Sequence, residues 1–272
     1  MKSLLRCVVV AAMAVVSPFV ATASPASSPL QGAGQLVVVT SADWDSTEGM
    51  LQAYSHADSG WVAHGDPFVV ALGRSGSAWG IGLHPAQHAA DTGGAEPQKR
   101  EGDGRSPAGV FALGTAFGYA AQADTALPWQ PMRESSYCMD VPDSPYYNRI
   151  VDAEKVGAEA VEGSTEPMRL DLHNQGDVRY QQGFVIAHNP RNVPGQGSCI
   201  FAHLWRTPGE ATAGCTAMTA EHMQALLAWL QPRQSPRFVL LPRAEYARLQ
   251  AAWQLPALPA LPTLAANDGT AP

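Results

Sequence analysis

The chain reads Ser198-Cys199-Ile200-Phe201-Ala202-His203-Leu204-Trp205-Arg206 and, after a short polar loop, Thr212-Ala213-Gly214-Cys215-Thr216-Ala217-Met218. The first segment is an apolar, strand-like run that carries His203. The second places Cys215 directly after Gly214. Twelve positions separate His203 from Cys215, a spacing that suits a strand, a loop and a turn that bring both side chains to one place.

A histidine beside a cysteine has two interpretations. The thiol is a useful nucleophile only as a thiolate, and a nearby imidazole is the usual means of producing one. The alternative is a buried structural cysteine and a hydrogen-bonded core histidine, which is common for an arbitrary pair at this separation. The surrounding sequence favours catalysis, because a Gly-Cys turn before a capped helix presents free backbone amides. We expect the N–H groups of Gly214 and Cys215 to stabilise an oxyanion in acyl transfer.

The N-terminus predicts a signal peptide over residues 1–23. Lys2 and Arg6 form a basic start, residues 7–20 are almost wholly apolar, and residues 21–23 read Ala-Thr-Ala, a small-x-small cleavage signal. The apolar run is too short and wrongly flanked for a spanning helix, although an uncleaved anchor is the alternative. We expect an exported protein without stable membrane insertion after signal cleavage.

The composition favours a β-rich domain. Charged residues make up only 15%, whereas glycine and proline number 25 and 22, as suits strands and turns. The length after cleavage favours one large domain over two. The net charge of −7 argues against binding nucleic acid through phosphate neutralisation.

The chain divides into a flexible linker at 24–34, one domain at 35–254 and a disordered tail rich in proline, leucine and alanine at 255–272. We expect strands at 35–40, 61–65, 67–73, 79–83, 109–113, 184–189 and 237–241. We expect a loop at 86–105, an irregular middle at 128–176, and helices at 45–55, 220–230 and 243–253. Thr219 is the predicted N-cap of the second helix. The predicted fold is therefore mostly β, a mixed sheet or sandwich with a few short helices, one of them directly after Cys215.

Three cysteines remain after signal cleavage. In an oxidising compartment, an odd number implies one disulfide and one free thiol, or an intermolecular bridge. We favour a pair between Cys138 and Cys199, because it leaves Cys215 free for chemistry. Three reduced, buried thiols are the alternative.

At these residues the sequence resembles the L,D-transpeptidase (YkuD-type) family of bacterial cell-wall enzymes, as a divergent exported branch. The signature of that family is a histidine followed later by Ser-His-Gly-Cys-x-Arg or Asn. His203 matches the base, Gly214 and Cys215 match the nucleophile turn, and Thr212 stands at the serine. The second histidine and the Arg or Asn are replaced by Ala213 and Ala217.

The resemblance continues upstream. Ser106-Pro107-Ala108-Gly109 resembles the Thr-Pro-x-Gly turn that leads into a central strand of the family. Without the cysteine motif, the segment around it reads as a solvated, charged loop. The resemblance implies acyl transfer through a thioester on Cys215, peptidoglycan stem peptides as substrates, a periplasmic or cell-wall location, and acylation by carbapenems. We expect no cofactor.

Other residues are candidates for substrate binding. Arg206 is expected to supply the positive charge missing after Cys215, and Thr212 and His188 are expected to contact substrate. A turn-capping role is the equal alternative for His188. We expect no metal site: His84 and His88 have helical i, i+4 spacing, but Pro85 opposes a helix there.

Two further functions stay open. A hydrolase of peptidoglycan cross-links on the same scaffold would use the same nucleophile, with water in place of an amine. A non-catalytic cell-wall binding module would keep the fold without turnover. The replacement of two signature side chains by Ala213 and Ala217 favours this last alternative somewhat.

Overall fold

The structure is a computed structural model that describes residues 28–87 and 96–258. The predicted signal peptide at 1–23, residues 24–27 of the predicted linker, residues 88–95 with His88, and residues 259–272 of the predicted tail lie outside the described residues.

Strands dominate the described chain, so the mostly β prediction is confirmed. The strands are β1 (Gln35–Ser41), β2 (Glu48–Ala57), β3 (Gly60–Ala71), β4 (Ser77–Trp79), β5 (Ser106–Gly118), β6 (Trp129–Pro131), β7 (Ser136–Cys138), β8 (Ile150–Asp152), β9 (Glu166–Pro167), β10 (Gln182–Ile186), β11 (Phe201–Leu204), β12 (Thr216–Met218) and β13 (Arg237–Pro242). The α-helices are α1 (Ala153–Val156), α2 (Leu170–His173), α3 (Ala220–Trp229) and α4 (Arg243–Trp253).

The main sheet is mixed and closes on itself. Its order is β10-β11-β12-β3-β2-β1-β13-β5, and β5 pairs back with β10. The long strand β5 makes the closure possible, because residues 109–112 pair with β13 while residues 113–118 pair with β10. The pairs β1–β13 and β11–β12 are parallel. A closed sheet has few free edges and holds its strands at fixed positions around one core.

The hydrophobic core lies between this sheet and the two longer helices. Helix α3 buries Met223, Leu226 and Leu227, and helix α4 buries Tyr246 and Trp253. All five belong to the same buried cluster as the apolar residues of β1, β5 and β13. The predicted N-cap is confirmed, since the Thr219 side chain accepts from the His222 N–H at 3.1 Å.

A second, three-stranded sheet with the order β8-β7-β9 lies beside the closed sheet. The prediction of an irregular middle is therefore wrong in part, because β6 to β9, α1 and α2 all lie within 128–176. These strands are two or three residues long, too short to show a hydrophobic period in sequence. The small sheet matters for function because β9 carries Glu166 into the pocket described below.

Several predicted boundaries are wrong. The predicted helix at 45–55 is strand β2, which lies between β1 and β3 and buries Leu51 and Tyr54. Pairing on both sides overrides local propensity there. The strands predicted at 61–65 and 67–73 form one strand, β3. A strand, β12, separates Cys215 from helix α3, so no helix follows the cysteine directly.

The predicted termini of the domain are also too narrow. Leu30 and Ala33 are buried in the core, and the Ser28 hydroxyl donates to the Trp253 carbonyl at 2.6 Å. At the other end, Leu255 is buried, and the Tyr246 hydroxyl donates to the Pro256 carbonyl at 2.7 Å. The described parts of the predicted linker and tail therefore pack on the domain.

Candidate active site

Parallel pairing of β11 with β12 brings His203 and Cys215 together. In this register Ala202 is opposite Thr216, and His203 is opposite Ala217. Paired residues of neighbouring strands project to the same face, so His203 and Ala217 share a face. Cys215 lies two positions before Ala217, in the turn that leads into β12. The His203 and Cys215 side chains line one pocket of about 340 Å³. The structure thus brings together the two residues on which the sequence prediction depended.

Hydrogen bonds hold the Cys215 turn in place. The Thr212 hydroxyl donates to the Cys215 carbonyl at 2.7 Å and accepts from the Gly214 N–H at 3.0 Å. The Ser106 hydroxyl donates to the same carbonyl at 3.1 Å and accepts from the Gly73 N–H at 2.9 Å. The turn is therefore tied both to itself and to strand β5.

Gly214 is required by the backbone at this turn. Its φ is +151°, and an added Cβ would lie 3.0 Å from the Arg105 carbonyl oxygen. A residue with a side chain there would have a strained backbone, and its Cβ would crowd the Arg105 backbone. The expected oxyanion role of Gly214 is not supported, because its N–H is already bonded to Thr212.

The Cys215 sulfur is buried and hydrogen-bonded on both sides. The Phe201 N–H donates to Sγ at 3.3 Å, and the thiol donates to the Cys199 carbonyl at 3.6 Å. Burial, followed by the negative charge of Glu166, raises the pKa of Cys215 to about 12, against the smaller effect of the Phe201 N–H. The resting group is a neutral thiol at physiological pH.

His203 is neutral as well. Its Nδ1 lies 2.7 Å from the Leu204 carbonyl oxygen, which accepts only from a protonated nitrogen, so we assign the tautomer with Nδ1–H. Burial lowers the pKa of His203 to about 4. The remaining nitrogen, Nε2, therefore carries a free lone pair and is the basic atom of the site.

These pKa values decide the resting state of the pair. Moving a proton from a thiol with a pKa of about 12 to an imidazole with a pKa of about 4 costs on the order of 10 kcal/mol, before their mutual attraction is counted. A thiolate–imidazolium ion pair is therefore not the resting form. Any proton transfer from Cys215 to His203 has to accompany the attack on a substrate.

Tyr180 and Glu166 line the pocket together with Cys215 and His203, and the sequence prediction missed both. The Tyr180 ring meets His203 edge-on at 5.3 Å, and its hydroxyl donates to Glu166. Burial raises the pKa of Glu166 to about 7, against the hydrogen bond from Tyr180. Neither residue lies in a motif, and each is more than 20 positions from His203 or Cys215, so only the fold reveals them.

Of the three predicted substrate-binding residues, two line the pocket and one does not. Arg206 lines the pocket but forms an ion pair with Glu210, with Nε to Oε2 at 3.2 Å. Thr212 also lines the pocket, although its hydroxyl is used to fix the cysteine turn. His188 does not line it.

His188 has a structural role, so its predicted contact with substrate is not supported. Its Nδ1 accepts from the Ile81 N–H at 3.2 Å, and its Nε2 lies 2.8 Å from the Gln196 carbonyl. Both ring nitrogens are therefore occupied, and burial lowers the pKa of His188 to about 4. The alternative interpretation, a histidine that holds turns together, fits these contacts.

Cys138 and Cys199 form a disulfide with Cα atoms 5.9 Å apart, which is the favoured pairing. Cys215 is the free cysteine among the described residues. The bond joins strand β7 of the small sheet to the segment before β11. It thereby holds the wall that carries Glu166 next to the residue whose carbonyl accepts from Cys215.

Within residues 28–87 and 96–258, no three His, Cys, Asp or Glu side chains cluster in a way that could hold a metal ion. Over the same ranges, no helix has the length and apolar character needed to cross a membrane. Comparison of the chain with family models, with curated proteins and with solved structures finds no match.

Proposed function

We propose that this protein is an exported cysteine acyltransferase that acts on peptidoglycan stem peptides in the manner of an L,D-transpeptidase. One observation carries the proposal: Cys215 and His203, from adjacent segments of the closed sheet, line a single pocket. The resemblance of residues 198–218 to the family motif supports the substrate class. The position of Cys215 and His203 in one pocket supports nucleophilic attack by a thiol with a histidine as the base.

In the first step, Cys215 Sγ attacks the carbonyl carbon of an amide. The thiol proton passes to His203 Nε2 as the carbon–sulfur bond forms, since the resting pair is neutral. The carbon–nitrogen bond then breaks, and His203 returns the proton to the leaving amine. The product is a thioester on Cys215, with His203 neutral again.

The developing oxyanion needs a donor other than Gly214, whose N–H is bonded to Thr212. We assign this role to the Cys215 N–H, at the turn that the Thr212 and Ser106 hydroxyls hold through the Cys215 carbonyl. A donor whose position is already fixed stabilises charge without reorganisation during the reaction.

In the second step, an amine attacks the thioester carbon and gives a proton to His203. The carbon–sulfur bond breaks, and the proton passes to the departing Cys215 sulfur. An amine that forms a new cross-link makes the protein a transferase. Water in its place makes the protein a hydrolase, the alternative on the same scaffold.

A non-catalytic peptide-binding module is the second candidate. The observation that favours it is the buried, protonated thiol. Its pKa is raised to about 12, whereas the pKa of an activated cysteine nucleophile is lowered. In that case the pocket would bind a stem peptide without forming a thioester.

Export is supported by the N-terminal sequence and by the disulfide between Cys138 and Cys199. Disulfides persist mainly in oxidising compartments. We therefore assign the protein to the periplasm or the cell wall.

Incubation of purified muropeptides with the wild type, Cys215→Ala and His203→Gln, followed by mass spectrometry, tests the proposal. New cross-links that require both residues support the transferase, and cleaved products support the hydrolase. Binding without conversion supports the module. A mass increase on Cys215 after carbapenem treatment adds support for a thioester-forming site, and conversion that survives Cys215→Ala contradicts it.

A further inference from the structure

The pocket contains four cationic side chains, and three of them already have an anionic partner. Lys99 Nζ lies 2.5 Å from an Asp103 oxygen, Arg179 pairs with Asp177 at 2.7 Å, and Arg206 pairs with Glu210. The fourth is Arg74, on the connection between β3 and β4.

Arg74 is exposed and lines the pocket. Among residues 28–87 and 96–258, its guanidinium has neither an ion pair nor a hydrogen bond. A guanidinium carries five N–H donors in a planar fork that matches a carboxylate. Arg74 is thus the pocket cation with its full binding capacity free.

The backbone of Arg74 is fixed to the cysteine turn. Its N–H donates to the Thr212 carbonyl at 2.8 Å, and Gly73 forms a parallel bridge with Thr212. The side chain passes close to Gly104, where an added Cβ would lie 3.0 Å from the Arg74 Cγ and 3.1 Å from its Nε. The backbone of Arg74 is therefore held by the same turn that positions Cys215, and its side chain lines the same pocket as Cys215.

We propose that Arg74 is a specificity-determining residue that binds the free terminal carboxylate of the donor peptide held in the pocket before the amide is cleaved. The substrate class is then a peptide with a carboxylate near the amide that faces Cys215. This assignment rests on the proposed function for the peptide ligand, and it replaces Arg206 as the source of positive charge. The Arg206 guanidinium is already paired with the Glu210 carboxylate.

Binding to the Cys215→Ala protein tests Arg74 separately from turnover. The probes are a peptidoglycan stem tetrapeptide with a free terminal carboxylate and the same peptide as its terminal carboxamide, measured by calorimetry. We expect Arg74→Gln to raise the Kd of the carboxylate peptide about tenfold, and to leave the Kd of the carboxamide unchanged. Arg74→Lys should retain part of the preference, and Arg133→Gln, a control at an exposed ion pair outside the pocket, should change either Kd less than about twofold.

An equal loss for both peptides in Arg74→Gln, or no loss for either, overturns the proposal, as does the absence of binding of either peptide. Carboxylate preference that depends on Arg74, combined with no acylation of wild-type Cys215, supports the role of Arg74 and removes the acyltransferase. The two failures are therefore distinguishable.

Discussion

The backbone N–H of Phe201 donates to the Sγ of Cys215 at 3.3 Å. Strand β11 thereby supplies both a donor for the sulfur, at Phe201, and a base, at His203. A hydrogen bond to sulfur favours the thiolate, and it lowers the pKa of Cys215. Burial and the charge of Glu166 act in the opposite direction and are stronger, so Cys215 is a protonated thiol in the resting protein.

Alkylation of Cys215 should reveal this protonated state. We expect iodoacetamide to label the thiol slowly at pH 7 and progressively faster with rising pH, without a plateau below pH 9, because the pKa lies near 12. His203→Gln should leave this resting rate nearly unchanged, since His203 is neutral in the wild type. Mass spectrometry of the labelled peptide gives the rate, and a plateau below pH 8 that disappears in His203→Gln would show an ion pair instead.

Glu166 should control the ionisation of Cys215. The Glu166 carboxylate is the largest charged contributor to the raised pKa of the thiol, so Glu166→Gln should lower that pKa and increase the alkylation rate several-fold at pH 9. Glutamine can still accept the hydrogen bond from Tyr180. Asp140→Asn is the matched control, because Asp140 lines the same pocket but is not among the main groups that shift the pKa of the thiol. Equal rates in all three proteins would contradict the prediction.

The local sequence pattern predicts some of the strands and helices correctly and fails for others. Strands β1 and β13 are runs of β-branched and aliphatic residues, and helix α3 has its apolar residues at helical spacing after Thr219, so periodicity finds them. Strand β2 has no such signature, since it is stabilised by partners on both sides. The closure of the sheet through β5 depends on pairing between distant segments, which no local window contains.

The candidate site shows the same division. His203 and Cys215 are found from sequence because one short segment contains both. The sequence predicts an oxyanion role for Gly214, but residue spacing does not reveal that its N–H is bonded to the Thr212 hydroxyl. Glu166 and Arg74 reach the pocket from β9 and from the β3–β4 connection, and only the assembled fold shows that both line the pocket that contains Cys215.

Thr212 should stabilise the cysteine turn through its hydroxyl. Thr212→Val keeps the shape but removes both the bond to the Cys215 carbonyl and the acceptor for the Gly214 N–H. We expect a loss of about 1–3 kcal/mol in the free energy of unfolding. Thr212→Ser keeps the hydroxyl and should lose much less. Urea denaturation measures both variants, and equal stability of the two would show that the hydroxyl contributes nothing to the turn.

The stability of the fold should fall in mild acid because of its buried histidines. His188 and His203 each have a pKa near 4 in the folded protein, compared with about 6.5 for an exposed histidine. Between these values the unfolded chain binds protons that the folded chain does not, so each histidine favours folding above pH 6.5 and this advantage is lost as the pH falls toward 4. The loss is about 3 kcal/mol for each histidine.

Glu166 has the opposite sign. Its pKa is raised to about 7 in the folded protein, so the folded chain holds a proton that the unfolded chain releases above about pH 4.5. Its contribution to stability is therefore lost as the pH rises from 4.5 to 7. The two histidines, together with His84, whose pKa burial also lowers, outweigh one glutamate, so the urea midpoint decreases from pH 6.5 to pH 4.5. Glu166→Gln removes the opposing contribution and should make this decrease steeper, whereas a constant midpoint over this range in both proteins would mean that the histidines are protonated in the folded state.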